Sequence, residues 1–405
     1  MSSFVISGGR PLRGTVCAGG SKNAALPIIF ATVAMRGISV IENVPDISDV
    51  DTAILMIENL GAKIERSGSR LTVDTRRLSY KDPDESLCRA IRASTYLIGA
   101  ELARFGKTRI SCFGGCNFEP RPIDLHLFAM ESIGAEIDGD SVYLNYPKDS
   151  EIAFKKISVG ATANALILAA ALPVVTRIQG HAKEPHIKAL ADFLISAGAK
   201  IEFDEEKITV EGRELIGGKA FIPPDPVETG TYALLSLISG GEVTVCGADE
   251  WELSSLLEPL SNAGVTVCSE GGITLFGEIK RPISFVAEPY PGLPTDLQPL
   301  IAPTLGAFWG GRIRDLVFPG RYGYLSELSF FGLSSSVKNG TIEIEPSRFH
   351  ASRARAPDLR GGAALLFPAL VSEGESIIEN AELVKRGYGG VVEKLRSLGA
   401  QIYEI

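Results

Sequence analysis

Leu60-Gly61-Ala62-Lys63-Ile64 (LGAKI) reads as the end of an apolar helix, a glycine, a small residue and the start of a strand. The same form returns as Ile133-Gly134-Ala135-Glu136-Ile137, Ala197-Gly198-Ala199-Lys200-Ile201, Ala263-Gly264-Val265-Thr266-Val267, Phe331-Gly332-Leu333 and Leu398-Gly399-Ala400-Gln401-Ile402. Successive glycines stand 64 to 73 residues apart, so six copies of one unit fill the 405-residue chain. Glycine is favoured where a helix stops in a left-handed cap, and the β-branched residues that follow suit an extended strand. Upstream of the glycine, Ile54, Ile57 and Leu60 in the first copy, and Leu190, Phe193 and Leu194 in the third, share one helical face. Short strands are predicted at Leu71-Thr72-Val73 and Lys207-Ile208-Thr209-Val210.

A unit of this size is larger than a solenoid repeat, which favours two compact domains of three units each over a long array. The densest proline cluster, Phe221-Ile222-Pro223-Pro224-Asp225-Pro226, lies near the middle and marks the break between them. Apolar content of 45% with 22% charged residues is that of a soluble globular protein. The N-terminus, MSSFVISGGRPLRG, has no continuous apolar core of a leader, and the longest apolar run, residues 163–175, is broken by Asn164 and Pro173. A buried helix is the expectation there, and a cytoplasmic protein without membrane spans. A net charge of −9 gives no basic field for nucleic acid or anionic membranes, so an anionic ligand has to be caught by a local cluster of Arg and Lys. Six cysteines without a C-x-x-C pair and four histidines predict neither a metal site nor a disulfide framework.

Gly19-Gly20-Ser21-Lys22-Asn23 resembles a phosphate-binding loop, but Lys does not follow the glycine directly and Asn23 stands where a hydroxyl would hold magnesium. A glycine turn feeding a helix is the plain alternative. Residues 113–126 combine two glycines, the thiol of Cys116 and Arg121 between two prolines. This pattern fits either a reactive loop or a turn with a small buried thiol, and Cys112 reads as packing. Arg92, Arg321, Arg360 and Arg386 each stand beside turn residues, an arrangement suited to a multiply anionic substrate, although a lone surface arginine is usually solvated. Asp296 follows Pro294-Thr295, where a carboxylate serves as a base or simply as a helix N-cap.

SKNAALPI (21–28), IRAS (91–94), GGC with RPIDLHL (114–127), SVGAT (158–162), ETGTY (228–232), PTDLQ (294–298), DLR (358–360) and RGY (386–388) occur in this order across the whole chain. In this the sequence resembles the UDP-N-acetylglucosamine 1-carboxyvinyltransferases, enolpyruvyl transferases of peptidoglycan synthesis. The resemblance implies an α/β fold of two inside-out α/β barrels, with domains at 21–221 and at 1–20 plus 222–405. It also implies transfer of the enolpyruvyl group of phosphoenolpyruvate to the sugar 3-hydroxyl, without metal or cofactor.

By the same resemblance, Cys116 is the acid at C3 or a partner in product release, and Asp296 takes the hydroxyl proton. Lys22, Arg121 and Arg386 hold phosphate and carboxylate, with Arg92, Arg321 and Arg360 in the same charged cleft, and Asn23 meets the sugar. Contacts to uridine and diphosphate fall to Arg121, Pro122, Ile123, Asp124, Leu125, Lys156, Ser158, Val159 and Gly160, and Val317 offers a backbone contact. The chain departs from the family at Pro319-Gly320 (usually Glu-Asn), at Phe118-Glu119-Pro120 and at Gly389. These departures keep open an enolpyruvyl transferase with another acceptor, such as a nucleoside.

Overall fold

The computed structural model describes residues 2–110 and 122–405. The chain divides into two compact units, Gly20–Pro223 and Met1–Gly19 with Pro224–Ile405. The second division falls inside the proline cluster.

All six repeat glycines adopt the left-handed conformation, with φ between 93° and 123°. Each ends a helix (Ser48–Asn59, Asp124–Ile133, Pro185–Ser196, Ser254–Asn262, Tyr324–Ser329 and Val391–Ser397) and precedes a strand (Lys63–Ser67, Glu136–Asp138, Lys200–Phe203, Val265–Cys268, Ser335–Lys338 and Gln401–Glu404). A side chain at these positions would be strained in that backbone conformation, so glycine punctuates every copy. The strands expected at 71–73 and 207–210 run Arg70–Asp74 and Lys207–Glu211.

In the Gly20–Pro223 unit each copy contributes to a small sheet. One has the order Lys219–Phe221, Ile38–Glu42, Arg70–Asp74, Lys63–Ser67; another runs Ser150–Ala153, Val175–Gln179, Lys207–Glu211, Lys200–Phe203. In both, the first pair is parallel, the following pairs are antiparallel, and the last pair is a hairpin. The third sheet, of Lys107–Arg109, Ser141–Tyr143 and Glu136–Asp138, is antiparallel among the described residues. The other unit repeats the plan, with parallel pairs Arg13–Cys17 to Glu242–Cys246, Ile283–Ala287 to Gly311–Asp315, and Arg353–Arg355 to Gly374–Glu379.

The helices between strands differ sharply in character. Lys22–Ala31, Leu97–Phe105 and Val159–Ala170 are buried on nearly every side in one unit, as are Pro226–Ser239, Gln298–Gly306 and Leu359–Val371 in the other. A helix apolar all round has to sit inside, and each unit therefore carries its helices at the centre and its sheets outside. This is the inside-out α/β arrangement. The apolar run expected as one buried helix over 163–175 is helical only to Ala170; Val175 already opens a strand, because Pro173 cannot continue the helix.

Candidate active site

In the Pro224–Ile405 unit the polar centre is Asp296. Its Oδ1 accepts a bond from Arg321 Nη1 at 3.0 Å, and its Oδ2 accepts from Arg360 Nε at 3.2 Å and Nη2 at 3.1 Å. Both guanidiniums are buried, Arg360 to 1% exposure, whereas the Asp296 side chain keeps 28%. Buried arginines hold a partly open carboxylate in one orientation, which leaves the carboxylate as the reachable member of the trio. The helix-cap reading of Asp296 does not hold: helix Gln298–Gly306 has Leu297 at its N-cap and no side-chain cap bond.

The support extends one layer further. Arg321 Nη1 also donates to the Thr295 carbonyl at 3.0 Å, and Thr295 Oγ1 donates to Asp315 Oδ2 at 2.6 Å. Asp315 Oδ1 accepts from the amides of Val317 (2.9 Å) and Phe318 (2.8 Å). Burial raises the proton affinity of Asp315, against the bonds from Phe318, Thr295 and Val317. Arg360 lies 5.2 Å from the centre of the Tyr388 ring, a cation–π contact. Tyr388 Oη in turn meets Thr231 Oγ1 at 2.9 Å. Arg386 caps the short helix Glu382–Lys385, two residues before Tyr388, and is half-buried.

Arg321 and Arg360 differ from the solvated loop arginines that single-residue odds favour. Arg360 stands in the first turn of helix Leu359–Val371, with Asp358 capping that turn through its bonds from the amides of Arg360 and Gly361. The glycines that made this stretch look like a turn serve packing instead. A Cβ on Gly361 would meet Tyr324 Cβ at 2.9 Å, and one on Gly362 would meet Ala356 Cβ at 2.7 Å.

In the Gly20–Pro223 unit, Lys22 opens helix Lys22–Ala31 and its Nζ lies 2.6 Å from Asp49 Oδ2. The P-loop alternative is not supported by this arrangement: the ammonium is oriented by a carboxylate from the first turn of the next helix, Ser48–Asn59. Asn23 is exposed beside it. Gly20 is obligatory here, since a Cβ would come within 1.9 Å of the Asn43 carbonyl oxygen.

Three motifs that are far apart in sequence meet in this unit through Asn164. Its Nδ2 donates to the Thr95 carbonyl at 2.7 Å and to His126 Nδ1 at 2.8 Å, and its Oδ1 accepts from the Gly99 amide at 2.9 Å. Thr95 belongs to the short 3₁₀ helix Arg92–Tyr96, His126 to helix Asp124–Ile133 and Asn164 to helix Val159–Ala170. Arg92, Asp124 and the Ser158-Val159-Gly160 turn therefore stand on elements tied to one fully buried amide. Burial holds His126 neutral, its pKa pulled down to about 4, with the Arg92 charge acting in the same direction.

Gly160 packs against that imidazole, since a Cβ there would lie 3.0 Å from its Cε1 and Nε2. Ser158 caps the helix with a bond from the Ala161 amide at 3.3 Å. Arg92 Nη2 reaches the Pro122 carbonyl at 3.5 Å, and Pro122, Asp124 and Lys156 are exposed while Ile123, Leu125, Ser158, Val159 and Gly160 are half-buried. Cys112, Cys116 and Arg121 lie outside the described residues.

Sequence reasoning missed Asp49, Asn164, His126, Thr295 and Asp315 as supports. Asn164 alone carried a signal, as the one polar residue interrupting an apolar run. ETGTY gains a meaning too: Glu228, buried on helix Pro226–Ser239, accepts from the Gly19 amide at 2.7 Å and from Lys394 Nζ at 2.6 Å.

The family model described as EPSP synthase (3-phosphoshikimate 1-carboxyvinyltransferase) matches residues 6–395. The chain belongs to this family of enolpyruvyl transferases. A protein of Chlorobium limicola named UDP-N-acetylglucosamine 1-carboxyvinyltransferase is 38% identical to it, covering 99% of this chain and 98% of that one. One of Caldanaerobacter subterraneus subsp. tengcongensis, named UDP-N-acetylglucosamine 1-carboxyvinyltransferase 2, is 36% identical over 100% of both chains. Among solved structures, the enolpyruvyl transferase NikO from Streptomyces tendae superposes with a TM-score of 0.87 at 24% identity, covering 100% of this chain and 98% of that one. An EPSP synthase from Acinetobacter baumannii gives 0.73 at 16% identity over 100% of both chains. At these identities the structures show the shared fold.

Of this enolpyruvyl transferase's departures from the family pattern, Phe118-Glu119-Pro120 lie outside the described residues. Pro319 and Gly320 form the tip of a turn closed by the Arg321 amide on the Phe318 carbonyl at 3.0 Å. The Asp315 carboxylate fixes one side of that turn and Arg321 the other, with Pro319 exposed and Gly320 half-buried between them. Gly389 precedes Gly390, which has φ of 60° and starts helix Val391–Ser397.

Proposed function

We propose that the protein transfers the enolpyruvyl group of phosphoenolpyruvate to the 3-hydroxyl of UDP-N-acetylglucosamine, releasing phosphate, in the cytoplasm and as the first committed step of peptidoglycan synthesis. The observation that carries this reading is the full-length similarity, at 34–38% identity, to proteins named for that reaction. Among the described residues, no helix is long and apolar enough to cross a membrane, which agrees with soluble, nucleotide-linked substrates.

The reaction adds a proton to C3 of phosphoenolpyruvate while the sugar oxygen bonds to C2. The tetrahedral intermediate then loses phosphate from C2 and a proton from C3, so the ether product regains the double bond. Such chemistry needs an acid, a base and fixed cations. Asp296 is the proposed base, and its two buried arginines hold the carboxylate still while its open edge meets the hydroxyl. Cys116 is the proposed acid at C3. Lys22, Arg121 and Arg386 are the proposed holders of phosphate and carboxylate, with Arg92, Arg321 and Arg360 adding positive charge.

The start of helix Lys22–Ala31 favours an anion through its own dipole, and Asp49 holds the Lys22 ammonium in place until phosphate competes for it. Asn23 would meet the sugar. Residues Pro122 to Leu125, Lys156 and Ser158 to Gly160 would hold uridine and diphosphate on the patch organised by Asn164. The Val317 amide is already taken by Asp315, so its proposed sugar contact would run through the carbonyl.

Phosphate release from phosphoenolpyruvate with UDP-N-acetylglucosamine, with shikimate 3-phosphate and with a nucleoside phosphate as acceptors tests the reading. Release is expected with the first. Release only with one of the others would transfer the chain to a different acceptor within the same family.

A further inference from the structure

Cys17 and Cys246 are direct partners in the parallel pairing of strands Arg13–Cys17 and Glu242–Cys246. Partner residues of parallel strands point to the same face, and the burial pattern agrees: Val16 and Val245 face the core, whereas Cys17 is exposed and Cys246 half-buried. Cys246 Sγ donates to the Gly271 carbonyl oxygen at 3.6 Å. Neighbouring strands run about 4.8 Å apart, inside the Cα separation that a disulfide spans.

Cys246 also lines an open hollow of about 1200 Å³, together with Gly247, Trp251 and Ile273, so small oxidants reach it from solvent. The remaining described cysteines differ. Cys88 is buried, and Cys268 faces Thr274 across its hairpin.

We propose that Cys17 and Cys246 form a reversible redox modification site, closing to an intrachain disulfide when the cell meets a hydroperoxide. The exposed Cys17 sulfur attacks one peroxide oxygen, the O–O bond breaks, and the leaving oxygen takes up the thiol proton, giving a sulfenic acid and water (or an alcohol). Cys246 then attacks the sulfenic sulfur, the S–S bond forms, and a second water leaves with the thiol proton. Two thiols are oxidised by two electrons and the peroxide is reduced by two. A dithiol reductant reverses the step by exchange, and an exposed disulfide is the labile kind. Burial, then the neighbouring Cys17, raises the Cys246 pKa, so it is the slower thiol to meet the peroxide and Cys17 is the first to react.

The bond would staple a weakly held part of the fold. Among the described residues, strand Arg13–Cys17 pairs with a single neighbour in a two-stranded sheet. Beyond Cys17, Ala18 donates to the Cys246 carbonyl at 2.8 Å and Gly19 to Glu228, immediately before the chain passes into the Gly20–Pro223 unit. Closing a loop of this length restricts the unfolded chain strongly.

The test treats the intact protein with hydrogen peroxide, blocks remaining thiols and maps peptides without reduction. A linked peptide joining Cys17 to Cys246 is expected as the main cross-link, cleaved by dithiothreitol and absent from Cys17→Ser and Cys246→Ser. The oxidised protein should melt about 2–10 °C higher than the reduced one, with no such shift in Cys17→Ser. Cross-links that run chiefly to other cysteines, or sulfinic acid at Cys17 without any link to Cys246, would overturn the proposal.

Discussion

Replacing Asn164 by Leu keeps the branched shape and removes all three bonds of the buried amide. The Thr95 carbonyl, His126 Nδ1 and the Gly99 amide lose their partner within the core. An unsatisfied buried polar group costs about 1–3 kcal/mol, and the apolar side chain returns about 1–2 kcal/mol through its own burial. Three such groups cost about 3–9 kcal/mol, so the net loss should be about 1–8 kcal/mol, a large part of the ~5–15 kcal/mol that holds an ordinary domain together. The backbone offers little relief, because Gly99 already lies so close that a Cβ there would come within 2.6 Å of the Asn164 carbonyl oxygen. Urea unfolding followed by circular dichroism measures the change. A loss under about 1 kcal/mol would refute the view that this amide ties the three motifs together.

The His126 pKa of about 4 lies below its unfolded value, so the unfolded chain binds the extra proton and stability should fall as pH drops from about 6.5 to 4, by about 3 kcal/mol in all. Glu101 runs the other way, burial raising its pKa to about 8, so the His126 slope is read as the difference between wild type and His126→Gln; equal slopes would contradict it. Asp296→Asn should lower turnover by roughly 10²–10⁴ while the fold persists, since Asn keeps an acceptor for the buried arginines; near-normal turnover would remove the base assignment. A small anionic epoxide should alkylate Cys116 ahead of the other five thiols, as peptide mapping would show, because the cations that the resemblance sets beside it would favour its thiolate; even labelling across the cysteines would remove its special role.

The repeat was legible in the sequence because a left-handed helix end demands glycine at one fixed place, and six such places remain visible in any register of side chains. The buried helices were partly legible for the same kind of reason, since an unbroken apolar run has nowhere else to go. The supports of the candidate site were not. Arg321 and Arg360 reach Asp296 from 25 and 64 residues away, and nothing near either arginine distinguishes a buried partner from a solvated one. The Gly361-Gly362 pair actively misled, because close packing against Tyr324 and Ala356 selects glycine as strongly as a turn does. Asp49 looked like any acid in a first helical turn, and only the fold sets it against Lys22.

The central claim concerns the acceptor, and mass spectrometry of the product tests it most directly. Purified protein incubated with phosphoenolpyruvate and UDP-N-acetylglucosamine should convert the sugar nucleotide to its 3-O-enolpyruvyl ether, with one phosphate released for each ether formed. An unchanged sugar nucleotide, in the presence of protein that does release phosphate when given shikimate 3-phosphate or a nucleoside phosphate, would contradict it.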